Sequence, residues 1–163
     1  MLFRLVLALV SVLSAVDAAS YEVGSVHLTG VSSGTVNGVS TGFLQFGGLI
    51  MGGYTTSLIG SAKVGNQDMF MQKFSADLNT TIWTNQFGSS GYDEPEYTTV
   101  DADDNIWVAG VCTGVVGTVS GAGKYDACWM KLNSSTGAVE YASQVGGDDD
   151  DYAKGIDVDT VHG

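Results

Sequence analysis

Proline is almost missing from this chain, with one in 163 residues, and basic residues are few. Six Lys and Arg face eighteen Asp and Glu, for a formal net charge of −12. A general nucleic-acid binder needs cations against phosphate, so this balance excludes that class. Two histidines, His27 and His162, and two cysteines, Cys112 and Cys128, are all the sequence offers of those types. There is no HExxH, no CxxC and no glycine loop ending in Lys-Ser/Thr, so zincin, thiol-redox and P-loop chemistry lack their machinery. After Ala18 no stretch keeps helical periodicity, and no apolar run is long enough to span a bilayer. Glycine is the opposite case: 23 residues, roughly twice the usual share, which argues against a helical bundle.

The first eighteen residues, MLFRLVLALVSVLSAVDA, combine a basic start at Arg4 with one apolar stretch and small residues at Val16 and Ala18. That pattern predicts a secretory signal peptide over 1–18, cut after Ala18. The apolar core, about twelve residues, is too short for an anchor. A secreted chain makes two further features coherent. Asn79-Thr80-Thr81 and Asn133-Ser134-Ser135 are N-glycosylation sequons in polar stretches. Cys112 and Cys128 can pair in an oxidising compartment. If 106–112 and 126–132 form a hairpin centred near Ser120, the two cysteines face each other across the ladder.

The strongest signal is self-similarity. GNQDMFMQKF (65–74) matches GKYDACWMKL (123–132), with Asp68 on Asp126 and Lys73 on Lys131 at an offset of 58. The same offset puts Trp83 on Tyr141, Gln86 on Gln144, Gly88 on Gly146, Asp93 on Asp151 and Val100-Asp101 on Val158-Asp159. A partial third copy lies upstream, with Gly53 on Gly110 and Thr56 on Thr113 at an offset of 57. Each period carries four β-rich runs, 97–101, 106–112, 125–132 and 139–145, separated by glycine and Asp/Asn clusters. Runs apolar on both faces predict sheets stacked face to face. Residues 23–31 and 41–51 also read as strands.

Four short antiparallel strands per period, repeated, predict an all-β fold of four-stranded propeller blades. The ordered set Gly65, Asp68, Lys73, Trp83, Gln86, Gly88, Val100, Asp101, Asn105, Val108 and Gly110 resembles the β-propeller repeat family called SBBP. Gly123, Asp126, Lys131, Tyr141, Gln144, Gly146, Val158 and Asp159 give the second copy, and the likeness covers about 46–163. The resemblance implies a fold and extracellular or surface use, and no shared catalytic residues. It divides the chain into 1–18, a degenerate or partial first blade over 19–64, one unit over 65–122 and a truncated unit over 123–163. That is about 2.5 blades, whereas closed propellers hold 4–8. A fragment of a longer protein is therefore expected, with the ring completed by further sequence or by self-association.

Candidate chemistry is sparse. Residues 93–163 carry 14 acids and three lysines, against three acids and two lysines in 19–92. Asp148, Asp149, Asp150 and Asp151 form a run of four carboxylates, and Asp101, Asp103 and Asn105 resemble the start of a Ca²⁺ loop. The latter lacks glycine at position six and glutamate at position twelve, and its flanks are strands, so a self-satisfied turn is the competing reading. Gly88 and Gly146 are expected at positive φ at strand ends. The repeated aromatics are expected to pack between blades. Gly30–Gly34 and Gly38–Gly42 match Gly-x-Ser-x-Gly but precede no helix, so no nucleophile is predicted. No catalytic residue and no firm cofactor emerges; Ca²⁺ is the one ion the acids suggest. The leading reading is a non-enzymatic secreted module whose partner is an extracellular protein or glycan. A carboxylate-dependent hydrolase or lyase on extracellular polysaccharide and a structural matrix component are the alternatives.

Overall fold

The computed structural model describes residues 48–60, 62–77, 79–118 and 123–159, and the backbone of 21–23, 26–28 and 36–43. The expected signal peptide, Ser32 and His162 lie outside the described residues. The described residues form ten strands: β1 (Tyr21–Val23), β2 (Val26–Leu28), β3 (Val36–Phe43), β4 (Leu49–Thr55), β5 (Asp68–Phe74), β6 (Thr81–Phe87), β7 (Asp93–Val100), β8 (Ile106–Cys112), β9 (Asp126–Leu132) and β10 (Val139–Val145). The described residues contain no helix. β1 and β2 form a two-stranded ribbon. The rest make two antiparallel meanders of four strands, β3-β4-β5-β6 and β7-β8-β9-β10.

The two meanders are copies down to their irregularities. Thr55 pairs with Asp68 as Cys112 pairs with Asp126. Phe70 pairs with Gln86 as Cys128 pairs with Gln144. The register shifts between Gly38 and Ser40 in β3 and between Pro95 and Tyr97 in β7, at matching positions. A second matched shift separates the last pair of β5–β6 and of β9–β10. Pro95 lacks an N–H, and it is tolerated because it sits on an edge strand at such a shift. The offset is 57 before the β4–β5 loop and 58 after it, because 113–125 is one residue longer than 56–67.

Packing follows from side-chain alternation. Met69 and Met71 of β5 meet Ile106 and Val108 of β8 and Met130 and Leu132 of β9 in one buried cluster with Ile50 and Phe87. β7 lies against β3, β4 and β5. β5 is buried on both its faces, as the doubly apolar run requires, whereas β9 alternates buried with half-buried residues. Trp83 closes the joint. Its indole donates to the Ser134 carbonyl at 3.0 Å, beside Lys73 Nζ at 2.8 Å. Its ring leaves no room for a Cβ at Gly137, which sits at φ 74° and would meet the ring at 2.7 Å.

Several expectations are corrected. β7 starts at Asp93 and ends at Val100, not at 97–101. The run 41–51 is shared between β3 and β4, and 23–31 contains the end of β1 and all of β2. The Cys112–Cys128 disulfide forms, with Cα atoms 5.9 Å apart, but the cysteines are not opposite each other. Cys128 faces Gly110 and Cys112 faces Asp126, so the bridge runs diagonally. A register change of two residues keeps both side chains on the same face, which is why the bond still closes. Gly146 does not adopt positive φ, unlike Gly88 at φ 155°.

The disulfide closes a loop of 16 residues in sequence and joins two fully buried positions. The double substitution Cys112→Ala/Cys128→Ala is expected to cost about 3 kcal/mol of stability. Denaturant unfolding that gives the same midpoint for both proteins would refute this.

Candidate functional site

The polar residues that recur at the repeat offset are buried and bonded to loops. Asp68 and Gln86 are 0% and 3% exposed. Gln86 donates through Nε2 to Asp68 Oδ2 at 2.7 Å and to the Ser57 carbonyl at 3.0 Å, and its Oε1 accepts from the Ile59 amide at 3.0 Å. Gln144 repeats this, donating to Asp126 Oδ2 at 3.1 Å and accepting from the Val116 amide at 2.6 Å. In each copy a glutamine on the outer strand therefore staples the long second loop to the third strand. A buried amide without such partners would cost about 1–3 kcal/mol.

A third carboxylate joins the first copy. Asp93, wholly buried at the head of β7, accepts from the Ser89 amide and the Ser89 hydroxyl, each at 2.7 Å. Burial pushes its carboxyl up to about 6, working against the Ser89 donors and with a small repulsion from Asp68. Asp68 and Asp93 are sealed from solvent, so this pair of acids cannot reach a polymeric substrate.

The calcium-loop candidate is a turn that binds its own backbone. Asp101 Oδ1 accepts from the amides of Asp103 at 3.0 Å and Asn105 at 2.8 Å, and Oδ2 accepts from Trp107 Nε1 at 3.0 Å. Partial burial acts to raise its carboxyl, but the donors from Trp107, Asn105 and Asp103 hold it below the usual carboxylate range. Asp104 completes the turn in the left-handed region at φ 62°. Asp148, Asp149 and Asp150 are exposed, and Asp151 is half-buried with its Oδ2 accepting from the Gly147 amide at 2.6 Å. The structure thus separates Asp101, Asp103 and Asn105 from the 148–151 run. Among the described residues no three His, Cys, Asp or Glu side chains gather in a way that could hold a metal ion.

Ser40 of the second Gly-x-Ser-x-Gly lies inside β3, opposite Gly52, and not at a strand-to-helix turn. His27 pairs with Glu22 in the β1–β2 ribbon. Asn79 and Asn133 both sit in third-to-fourth-strand turns. Asn79 is exposed and donates to Asp77, whereas Asn133 Oδ1 caps the amides of Ser135 and Thr136 inside a turn that Trp83 covers.

A further surface feature has no counterpart among the sequence expectations. An open cleft of about 480 Å³ runs between the outer strands β6 and β10, lined among others by Val64, Phe87, Val115, Val139 and Tyr141, with Glu140 beside them. Val64, Val115, Val139 and Tyr141 are all exposed. Exposed apolar residues gathered in one cleft mark an interaction site more often than scattered ones do. Alternation at the start of β10 hints at this, because Val139 and Tyr141 share a face of an outer strand. Among the described residues no helix is long and apolar enough to cross a membrane. No family model matches the chain, and no curated protein matches it.

Asp93 yields a pH prediction. Its folded value lies above the ordinary carboxylate value, so the native state binds this proton more tightly than the unfolded chain. The stability it contributes is complete below about pH 4 and is lost as pH rises to about 6. Asp93→Asn is therefore expected to gain on the wild type by about 3 kcal/mol between pH 4 and pH 7. Unfolding curves whose difference is flat over that range would contradict the assignment.

Proposed function

We propose that the protein is a secreted β-propeller-repeat module that works by interaction or adhesion, each four-stranded sheet being one blade. The observation that carries this reading is a joint that recurs at the repeat offset. The Asp93 amide donates to the Gln67 carbonyl at 3.0 Å, and the Asp151 amide donates to the Tyr125 carbonyl at 2.7 Å. Asp151 is thus held beside the second sheet as Asp93, the first residue of β7, is held beside the first. Lys154 reaches back to Glu96, its own equivalent one period earlier, at 2.6 Å. Residues 151–158 therefore take the place of the first strand of a further blade. They pack over Trp107 and Trp129 on the outer face of the second sheet, around a cleft of about 330 Å³. A disulfide at the heart of the second sheet suits an oxidising, extracellular setting.

In this reading the β6–β10 cleft takes an apolar or aromatic group of an extracellular protein or glycan. Tyr141→Ser/Val139→Ser, which alters exposed positions, is expected to lower capture on glycan and protein arrays at least tenfold while leaving the melting temperature within about 2 °C. Array binding that survives the double substitution, or turnover of a polysaccharide by the intact protein, would defeat it. Secretion further predicts an N-terminus at Ala19 and a glycan on exposed Asn79 in preference to Asn133. Peptide mapping of secreted material reads both.

A further inference from the structure

The two copies of the buried carboxylate site are not equally satisfied. In the first, Asp68 accepts from the Val64 amide at 3.0 Å, the Gly65 amide at 2.6 Å and Gln86, while Asp93 takes both donors of Ser89. In the second, Asp126 is 2% exposed and its Oδ2 accepts from Gln144, but its Oδ1 has no hydrogen-bond partner. The equivalent of Ser89 is Gly147, which has no hydroxyl to give Asp151. The orphaned oxygen lies near a second carboxylate. A Cβ on Gly146 would lie 2.0 Å from Asp126 Oδ1 and 3.0 Å from Asp151 Oδ2. The two oxygens are therefore within about 5 Å of each other, the range in which like charges contend. Gly146, Gly147, Asp148, Asp149 and Asp150 are exposed, while Asp126 Oδ1 beneath them is sealed from water. A buried, unpaired carboxylate oxygen facing another carboxylate is costly unless a cation or proton lies between them.

We infer that Asp126 and Asp151 form a cation site for a hard divalent ion, Ca²⁺ first, which supplies in the second copy the positive partners that backbone amides and Ser89 supply in the first. Oxygen donors and a surplus of negative charge suit Ca²⁺. Two protein carboxylates, with water filling the other positions, place it in the weak range of extracellular modules, Kd about 10⁻⁴–10⁻³ M. This site is distinct from the Asp101 turn and uses only Asp151 of the four-aspartate run. The inference rests on the paired copies and not on the proposed adhesion role.

Tb³⁺ offers a direct probe, because Tyr125 and Tyr152 adjoin the two ligands in sequence and stack with centroids 6.1 Å apart. In chelator-stripped, full-length protein, tyrosine-sensitised Tb³⁺ emission that Ca²⁺ competes away is expected, together with a higher melting temperature in millimolar Ca²⁺. Asp151→Asn and Asp126→Asn should each weaken competition roughly tenfold or more, since each removes one of two charged ligands. Asp151 is only half-buried, so its variant remains informative if Asp126→Asn does not fold. Gly147→Ser restores the hydroxyl of the first copy, and a Cβ there has room, with Asp151 Oδ2 at 3.8 Å. It should also weaken Ca²⁺ binding. Triple neutralisation of Asp148, Asp149 and Asp150 should change affinity no more than about threefold, as screened surface charge does. The site is overturned if Ca²⁺ and Tb³⁺ leave emission and melting unchanged. It is equally overturned if Asp151→Asn binds as the wild type does, or if the triple variant alone abolishes binding.

Discussion

A β-sheet with apolar residues on both faces cannot stand alone in water, and that constraint organises this molecule. β5 exposes almost nothing on either side, and its Met69 and Met71 are covered by Ile106, Val108, Met130 and Leu132 of the next sheet. Burying side chains of this size contributes about 1.5–3 kcal/mol each, so the stack, more than any strand's own pairing, holds the chain together. The stack has polar fastenings as well. Gln86 and Gln144 tie the long loops to their sheets, and Trp83 and Lys73 fix one sheet on the Ser134 carbonyl of the other. These bonds are directional where the apolar contact is not. They set which face meets which, and at what register.

The repeat was legible because it is written in residues with narrow tolerances. β8 and β10 begin and end where the sequence predicts, since Asn105, Asn133 and the Gly146-Gly147 pair bound β-branched and aromatic runs. β7 reaches four residues further back than the predicted run 97–101, through Glu94, Pro95 and Glu96. An edge strand with a register shift accepts proline and charge that a central strand would refuse. The disulfide was legible as a pairing but not as a geometry. Moving the assumed hairpin centre by one residue changes direct opposition into a diagonal, and the 113–125 loop gives no turn motif that fixes the centre.

The polar interior was only half legible. Asp68, Gln86, Asp126 and Gln144 stand out at a common offset, yet nothing local says that they meet, because 18 residues separate each acid from its amide. The apolar cleft was harder still. It forms between strands of different sheets, so no window of sequence contains it. Asp101 is the contrasting case. All its partners lie within six residues, and the turn reading follows directly from the chain.

Internal duplication supplies a control that a single fold lacks. Both copies keep the acid, the glutamine, the glycine and the same ladder register. They differ in the φ of that glycine, positive at Gly88 and not at Gly146, and in the donor set. Ser89 closes the first site with a hydroxyl and an amide, and both of its carboxylates are fully occupied. Gly147 retains the amide alone, and beyond it the chain places three exposed aspartates where the first copy has Ser90, Gly91 and Tyr92. The added aspartates are exposed and solvated, whereas Asp126 Oδ1 is buried without a partner, so the cost in the second copy falls on that one oxygen, and a positive partner there is what would offset it.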